Sequence, residues 1–405
     1  MQRSTDRILT THAGSLIRTK PIIEGMKART LGQPHDEAEL ARDIRSGIED
    51  VVSKQIEIGL DIVNDGEYAR RGFTTYIHER LGGLEPLVLR PGDKNPLDQI
   101  GHELERDEFP GFYAQHDKVY RFMWMLPGVD MTEMLNVRGK SEIFRLGGPI
   151  TYIGRDAVTA DMDNLRAGLA GATVSDAFVT AVTPTTERRD AGISDFYGSH
   201  DDYLVALADA LHEEYKAVTD AGFILQLDRP AQNPVLNLKS DEEITRELER
   251  GIEVVNYALR GIDPGRVRTH WCGGSGNRPH TQNIPLRRMA KAMLKLNVGA
   301  YGIEAATPRH EHEWQMWEDI RLPEGKILVP GLVSQSTNVV EHPELVAWRI
   351  KNFAGLVGRE NVIAGVDCGF SQDWDLIRVH PEIQWAKLRS LVEGAAIASK
   401  ELWGR

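Results

Sequence analysis

One repeated pattern limits what this chain can fold into. An amphipathic helix stops at a glycine, and a short apolar run follows at once and ends in polar side chains. Leu40, Ile44, Ile48, Val52, Ile56 and Leu60 form an i, i+4 stripe ending beside Gly59, and Leu60-Asp61-Ile62-Val63-Asn64-Asp65-Gly66-Glu67 comes next. Leu204, Leu207, Leu211, Tyr215 and Val218 form a second stripe that stops at Gly222, ahead of Phe223-Ile224-Leu225-Gln226-Leu227-Asp228. A third helix opens on the capping-box pattern Ser240-Asp241-Glu242-Glu243 and leads to Val267-Arg268-Thr269-His270. A fourth, around 286–296, precedes Gly299-Ala300-Tyr301-Gly302-Ile303-Glu304. Ile327-Leu328-Val329-Pro330 is then followed by a helix that begins near Pro343, stops at Gly358 and leads into Val362-Ile363-Ala364-Gly365-Val366-Asp367.

With Ile8-Leu9-Thr10-Thr11 and Pro149-Ile150-Thr151-Tyr152-Ile153 there are eight candidate strands. Strand and helix in alternation require right-handed parallel crossovers, and eight such units close into a (β/α)8 TIM barrel. An open doubly wound sheet would want a glycine-rich phosphate loop after its first strand, and Ala13-Gly14-Ser15 is not one. The expected organisation is a single barrel domain over 1–405, with long insertions after strands 2 and 3, at about 68–147 and 155–199. Insertions after strands lie at the catalytic end of such a barrel.

Composition excludes several function classes. Lys and Arg number 48 against 60 Asp and Glu, a net charge of −12, which argues against nucleic-acid or anionic-membrane partners. No run of 18 apolar residues occurs, and Met1-Gln2-Arg3-Ser4-Thr5-Asp6-Arg7 lacks a signal-type apolar segment, so a soluble, cytoplasmic protein is expected.

The chemistry gathers at the strand ends: Glu67, Asp228, His270 with Cys272, Glu304, and Asp367 with Cys368. In a barrel these converge on one mouth. His270-Trp271-Cys272 places two donors on one face of an extended strand. Glu304 and Cys368 could complete a set of one imidazole, two thiolates and one carboxylate, which suits tetrahedral zinc. Cys272 and Cys368 are the only cysteines of the chain. The alternative reading is a satisfied core histidine with two buried thiols. Asp367 is read as a cap or as a group that orients a ligand. A further metal-type segment, Arg309-His310-Glu311-His312-Glu313, reads equally as a solvated loop or helix start. Cys272-Gly273-Gly274-Ser275-Gly276-Asn277 lacks the ending of a phosphate loop and reads as a site loop.

These segments together resemble the cobalamin-independent methionine synthase family, specifically its catalytic C-terminal barrel and short single-barrel relatives. Thr10-Thr11-His12-Ala13-Gly14-Ser15 is similar to the family's opening T-T-x-x-G-S segment, and Asn64-Asp65-Gly66-Glu67 to its H-G-E element. Asp228-Arg229-Pro230 stands where the family has D-E-P, His270-Trp271-Cys272 where it has H-x-C, and Asp367-Cys368-Gly369 within its P-D-C-G. The resemblance implies zinc ligands at His270, Cys272, Glu304 and Cys368. It implies that Ser15, Glu67 and Asp228 face an amino-acid thiol; His12 and Arg229 are expected beside them as substrate-binding residues, Arg229 as a cation for a carboxylate or sulfonate on the thiol, and Glu304 and Asp228 are expected to take part in catalysis.

The departures are Arg229 for a glutamate, Ser336 for a catalytic histidine and Arg155 for a folate-stacking tryptophan. With no N-terminal barrel in the chain, they predict that methyl-folate is not the donor. The resulting expectation is a zinc-dependent thiol S-alkyltransferase that joins a small-molecule thiol to a methyl or other alkyl donor. A corrinoid protein or a second copy of the chain are further candidate partners. Two alternatives use related barrels: epoxide opening like that of the epoxyalkane–coenzyme M transferases, and a metal-free lyase of the uroporphyrinogen decarboxylase type.

Overall fold

A computed structural model describes residues 1–87, 100–119, 144–185, 192–230, 239–273, 279–374 and 376–404. Eight parallel strands make the central sheet: β1 (Leu9–Thr10), β2 (Ile62–Val63), β5 (Asp176–Val182), β6 (Ile224–Pro230), β7 (Val267–Cys272), β8 (Ala300–Ile303), β9 (Ile327–Val333) and β10 (Ile363–Val366). Their order is β1-β10-β9-β8-β7-β6-β5-β2, which runs once around a (β/α)8 barrel. Two further strands, β3 (Leu81–Pro86) and β4 (Phe144–Tyr152), pair with each other antiparallel, outside the barrel.

Side chains of β1 and β2 close the seam between them. Asp61, just before β2, accepts from the Thr10 backbone N–H at 2.8 Å and from the Thr10 hydroxyl at 2.9 Å. It also pairs with the Arg7 guanidinium, and the Thr11 hydroxyl reaches Ile62 O at 3.0 Å. Inside the barrel, Leu9, Ile62, Phe178, Ile224, Ala300, Ile327, Val329 and Ile363 form a plug drawn from seven of the strands. Outside it, the helices bury their apolar stripes on the sheet. The helix Glu37–Glu57 starts where the Asp36 side chain accepts from Ala38 N and Glu39 N, and it stops at Gly59, whose φ of 91° suits glycine. The Ser240–Glu243 capping box is present, and Pro343 and Gly358 bound the helix Pro343–Val357.

The third barrel strand is Asp176–Val182, not the segment 149–153 expected from the sequence. Phe144–Tyr152 alternates between buried and exposed residues, as a two-faced ribbon must, and Leu81–Pro86 takes its hydrogen bonds. Asp176-Ala177-Phe178-Val179-Thr180-Ala181-Val182 is buried almost throughout, as a strand covered on both faces requires. The stretch 155–199, read as an insertion, therefore holds a barrel strand and the helix Arg155–Gly168 that precedes it. Much of the other expected insertion, 88–99 and 120–143, lies outside the described residues. No helix among the described residues is long and apolar enough to cross a membrane.

The seam gives a direct prediction. Asp61→Ala strands the buried Thr10 N–H and removes four accepted bonds, so unfolding in urea should show a loss of about 2–4 kcal/mol. An unchanged midpoint would show that the seam does not depend on Asp61.

Candidate metal centre

β7 alternates Arg268, His270 and Cys272 on one face, which carries His270 and Cys272 to its C-terminal end. Three strands away in the sheet, the end of β10 delivers Cys368. The Cys272 and Cys368 sulfurs lie 3.2 Å apart, and the donor atoms of His270, Cys272 and Cys368 all fall within 4.8 Å of one another. His270 and Cys368 are buried, whereas Cys272 is partly open. The bond from Cys272 pulls the Cys368 thiol well below its ordinary range, against burial and with help from His270. Burial works to lower the His270 pKa, but the bond to Cys368 and the charges of Cys368 and Asp228 raise it.

Glu304 lies outside this trio but touches it. It follows β8, is buried, and bonds to Cys272 and to the backbone of Gly273. Burial, with the charges of Asp367 and Cys368, holds its carboxyl well above the usual range. Asp367 accepts from Ala305 N and Ala306 N, both at 2.8 Å. It thus fixes the turn that aims Glu304 and caps no helix. Burial leaves its own pKa raised to about 6 despite those two bonds.

Polar atoms without a partner gather on this side of the mouth. Among the described residues they include His270 Nε2, Glu304 Oε1, both amide atoms of Gln335 just beyond β9, and Asp367 Oδ2. Unmade hydrogen bonds in a dry site cost about 1–3 kcal/mol each, so groups of this kind fit a site built to take a ligand. Two sulfurs, an imidazole nitrogen and a free carboxylate oxygen are the donor set of a zinc site.

A second acidic group faces the mouth from β2 and β6. Gly66 and Glu67 are both left-handed, at φ 67° and 59°, and Asn64 Oδ1 and Asp65 Oδ1 hold that turn by accepting from their N–H groups. For glutamate this conformation costs about 1 kcal/mol, and it turns the carboxylate inward. Thr180 of β5 donates to Glu67 Oε1 at 3.1 Å. A Cβ on Gly14 would stand 2.5 Å from that oxygen, which explains the glycine. Burial and the charge of Asp228 push the Glu67 pKa up to about 8. Asp228 sits level with His270 in the sheet, accepts from Gln226 Nε2 at 2.7 Å, and is raised to about 6, chiefly by burial.

The remaining sequence candidates divide. Ser15 is buried against Gly369, next to Cys368, where any side chain at 369 would collide with its hydroxyl. His12 has both ring nitrogens engaged, by Gln55 Oε1 at 2.8 Å and Gly14 N at 3.3 Å, and burial lowers its pKa to about 3. It is a neutral part of the wall. Arg229 stands next to last in β6, and its side chain lies outside the described residues, as does 274–277 of the glycine-rich loop. Ser336 lies on the loop beyond β9, its hydroxyl 2.8 Å from that of Ser334. Arg155 is 78% exposed and pairs with Glu213 on an outer helix, so it carries no argument about a donor.

The sequence reading overlooked the supports: Thr180 in the unread strand, Gln226, and Arg268. Arg268 donates to Gln226 Oε1 at 2.8 Å, to the Thr11 hydroxyl at 3.0 Å and to His12 O at 3.0 Å, and lies over the Phe178 ring. Its place on the same strand face as His270 and Cys272 was the available signal.

No family model matches the chain. It is 26% identical over 400 residues to the uncharacterized protein YxjH of Bacillus subtilis (strain 168), covering 94% of this chain and 92% of that one. It is 23% identical over 396 residues to a 5-methyltetrahydropteroyltriglutamate–homocysteine methyltransferase of Rhodococcus jostii (strain RHA1), covering 97% of this chain but 43% of the relative. A solved B12-independent methionine synthase from Shewanella sp. W3-18-1, in complex with selenomethionine, superposes with a TM-score of 0.66 at 20% identity, covering 98% of this chain and all of that one. The resemblance to cobalamin-independent methionine synthases thus holds for the fold along nearly the whole chain.

The raised pKa of Glu67 has a stability consequence. A carboxyl that binds its proton more tightly when folded loses stability as pH climbs from its unfolded value, about 4.5, through about 8. Calorimetry of metal-free protein should therefore show wild type falling below Glu67→Gln between pH 5 and pH 8, by on the order of a few kcal/mol. Parallel pH profiles would contradict this.

Proposed function

We propose that this chain is a zinc-dependent thiol S-alkyltransferase, moving a methyl or other alkyl group onto a small-molecule thiol. The observation that carries the reading is the meeting of His270, Cys272 and Cys368, with Glu304 alongside. Three soft or borderline donors with an unpaired imidazole nitrogen favour a metal over the metal-free lyase. His270, Cys272, Cys368 and Glu304 would hold the ion. Zinc bound there would supply the one thing a free thiol lacks at neutral pH, since a thiol of pKa about 8.5 is mostly protonated.

The chain's own groups account for the rest. Cys272, Cys368 and Glu304 would bring three negative charges to the site, more than a divalent ion neutralises, which would keep the ion a weak Lewis acid. Glu304, the hardest donor of the set, would be the least firmly held of the four ligands. Asp367 keeps it aimed through the Ala305–Ala306 turn. Across the mouth, Glu67 and Asp228 form an acidic pair suited to an ammonium group, with Ser15 as a hydroxyl contact near Cys368. An amino-acid thiol satisfies both ends at once, and the likeness to the Rhodococcus jostii homocysteine methyltransferase supports that choice. Arg229, placed beside Asp228 by the sequence, would then meet the carboxylate of the same molecule. A corrinoid protein and a second copy of the chain do not enter the proposal.

The test pairs L-homocysteine with a methyl-sulfonium donor, methyl-tetrahydrofolate and an epoxyalkane in turn, over zinc-loaded protein, and weighs the products by mass spectrometry. An S-alkylated thiol is expected from at least one donor. Cys368→Ser should lower the rate roughly 10²-fold or more, the several kcal/mol that metal activation contributes. Alkylation that continues at full rate in Cys368→Ser or in metal-free protein would refute the reading.

A further inference from the structure

The buried hydroxyl of Thr180, in β5, lies between two charged groups. On one side, Arg70 Nη1 donates to Thr180 Oγ1 at 2.9 Å, and the same nitrogen donates to Thr180 O at 2.6 Å. On the other, Thr180 Oγ1 donates to Glu67 Oε1 at 3.1 Å. A guanidinium can only donate, and a hydroxyl has a single proton. With Arg70 donating into the oxygen, that proton is left for Glu67.

Arg70 is itself fixed from behind. Its Nε donates to Asp161 Oδ2 at 3.2 Å, and Arg80 Nη2 donates to the same oxygen at 2.6 Å. The guanidinium carbon lies 4.4 Å from the centre of the Tyr76 ring. The backbone N–H of Arg70 also donates to Glu67 O at 3.1 Å, so Arg70 holds Glu67 by its main chain and, through Thr180, by its carboxyl group. Gly14 closes the near side: a Cβ there would stand 2.8 Å from Thr180 Cγ2 and 2.5 Å from Glu67 Oε1. Glu67 Oε2, by contrast, is buried and has no partner. One carboxylate oxygen is held and the other is left over, and a dry carboxylate oxygen of this kind suits a cationic donor.

We propose that Thr180 and Arg70 are positioning residues that set the substrate class: they hold Glu67 Oε1 so that Oε2 meets the ammonium of an α-amino thiol. The inference rests on the thiol reading above. It goes further by assigning selectivity for the ammonium to a hydroxyl and a guanidinium that do not touch the substrate. Losing a hydrogen bond to a charged group corresponds to roughly 10–100-fold in affinity.

The experiment is calorimetric titration of the full-length, zinc-loaded protein with L-homocysteine and with 4-mercaptobutyrate, which lacks only the amino group; the zinc content of each variant is the control. Wild type should bind L-homocysteine about 10-fold more tightly or better. Thr180→Val keeps the side chain's shape and leaves Arg70 its bond to the carbonyl of residue 180. It should weaken L-homocysteine about 10-fold while leaving 4-mercaptobutyrate and zinc content unchanged. Thr180→Ser, which keeps the hydroxyl, should match wild type. Arg70→Lys should also weaken L-homocysteine selectively, and it should add little in a Thr180→Val background, since its effect passes through Thr180. Equal weakening of both thiols in Thr180→Val, or no change in either, overturns the inference, as does a wild type that binds the two thiols equally. If Thr180→Val fails to fold, Arg70→Lys decides on the same comparison. A wild type that binds neither thiol refutes the thiol reading itself and the inference with it.

Discussion

The approach of Cys272 and Cys368 to 3.2 Å, with His270 and Glu304 beside them, puts two thiols, an imidazole and a carboxyl into one desolvated corner of the barrel. The thiols and the carboxyl repel one another when ionised, and all of these groups lose hydration when buried. The strain shows in their acidities: Glu304 is held well above the carboxylate range, Glu67 near 8, and Asp228 and Asp367 near 6. A divalent cation would relieve this corner.

The scaffold holds these acids from below and from behind. Arg268 sits one step beneath His270, inside the barrel, where burial lowers its pKa to about 9 while the charges of Asp228 and Asp176 oppose that fall. Through Gln226 it fixes Asp228. Arg18 donates to Glu67 O and Arg70 O at 2.7 Å and so ties the left-handed Gly66–Glu67 turn to the loop beyond it. Arg70 and Arg80 both reach Asp161 in a buried cluster behind the same wall. Cations placed beneath the site steady its acids without filling the space where a ligand would bind.

Most of the architecture could be read from the sequence because helix and strand periodicities were unbroken where helices cover the sheet. The strand 176–182 was missed because a continuous buried run with a Thr in it has no alternation to reveal it, whereas 144–152 alternates and imitates a half-exposed strand. The trio His270, Cys272 and Cys368 was legible because both cysteines stand at strand ends and the strand period puts His270 and Cys272 on one face. The roles of Thr180, Gln226 and Arg268 were not, since each depends on which distant strand lies alongside. His12 also depends on distant partners: both of its ring nitrogens are engaged, by Gln55 and Gly14.

The central claim is that these four side chains form one metal site. X-ray absorption at the zinc edge of the zinc-loaded protein tests it most directly. The account predicts a shell with two sulfurs near 2.3 Å and two nitrogen or oxygen donors at about 2.0–2.2 Å. A shell of nitrogen and oxygen alone, with no sulfur scatterer, would contradict it.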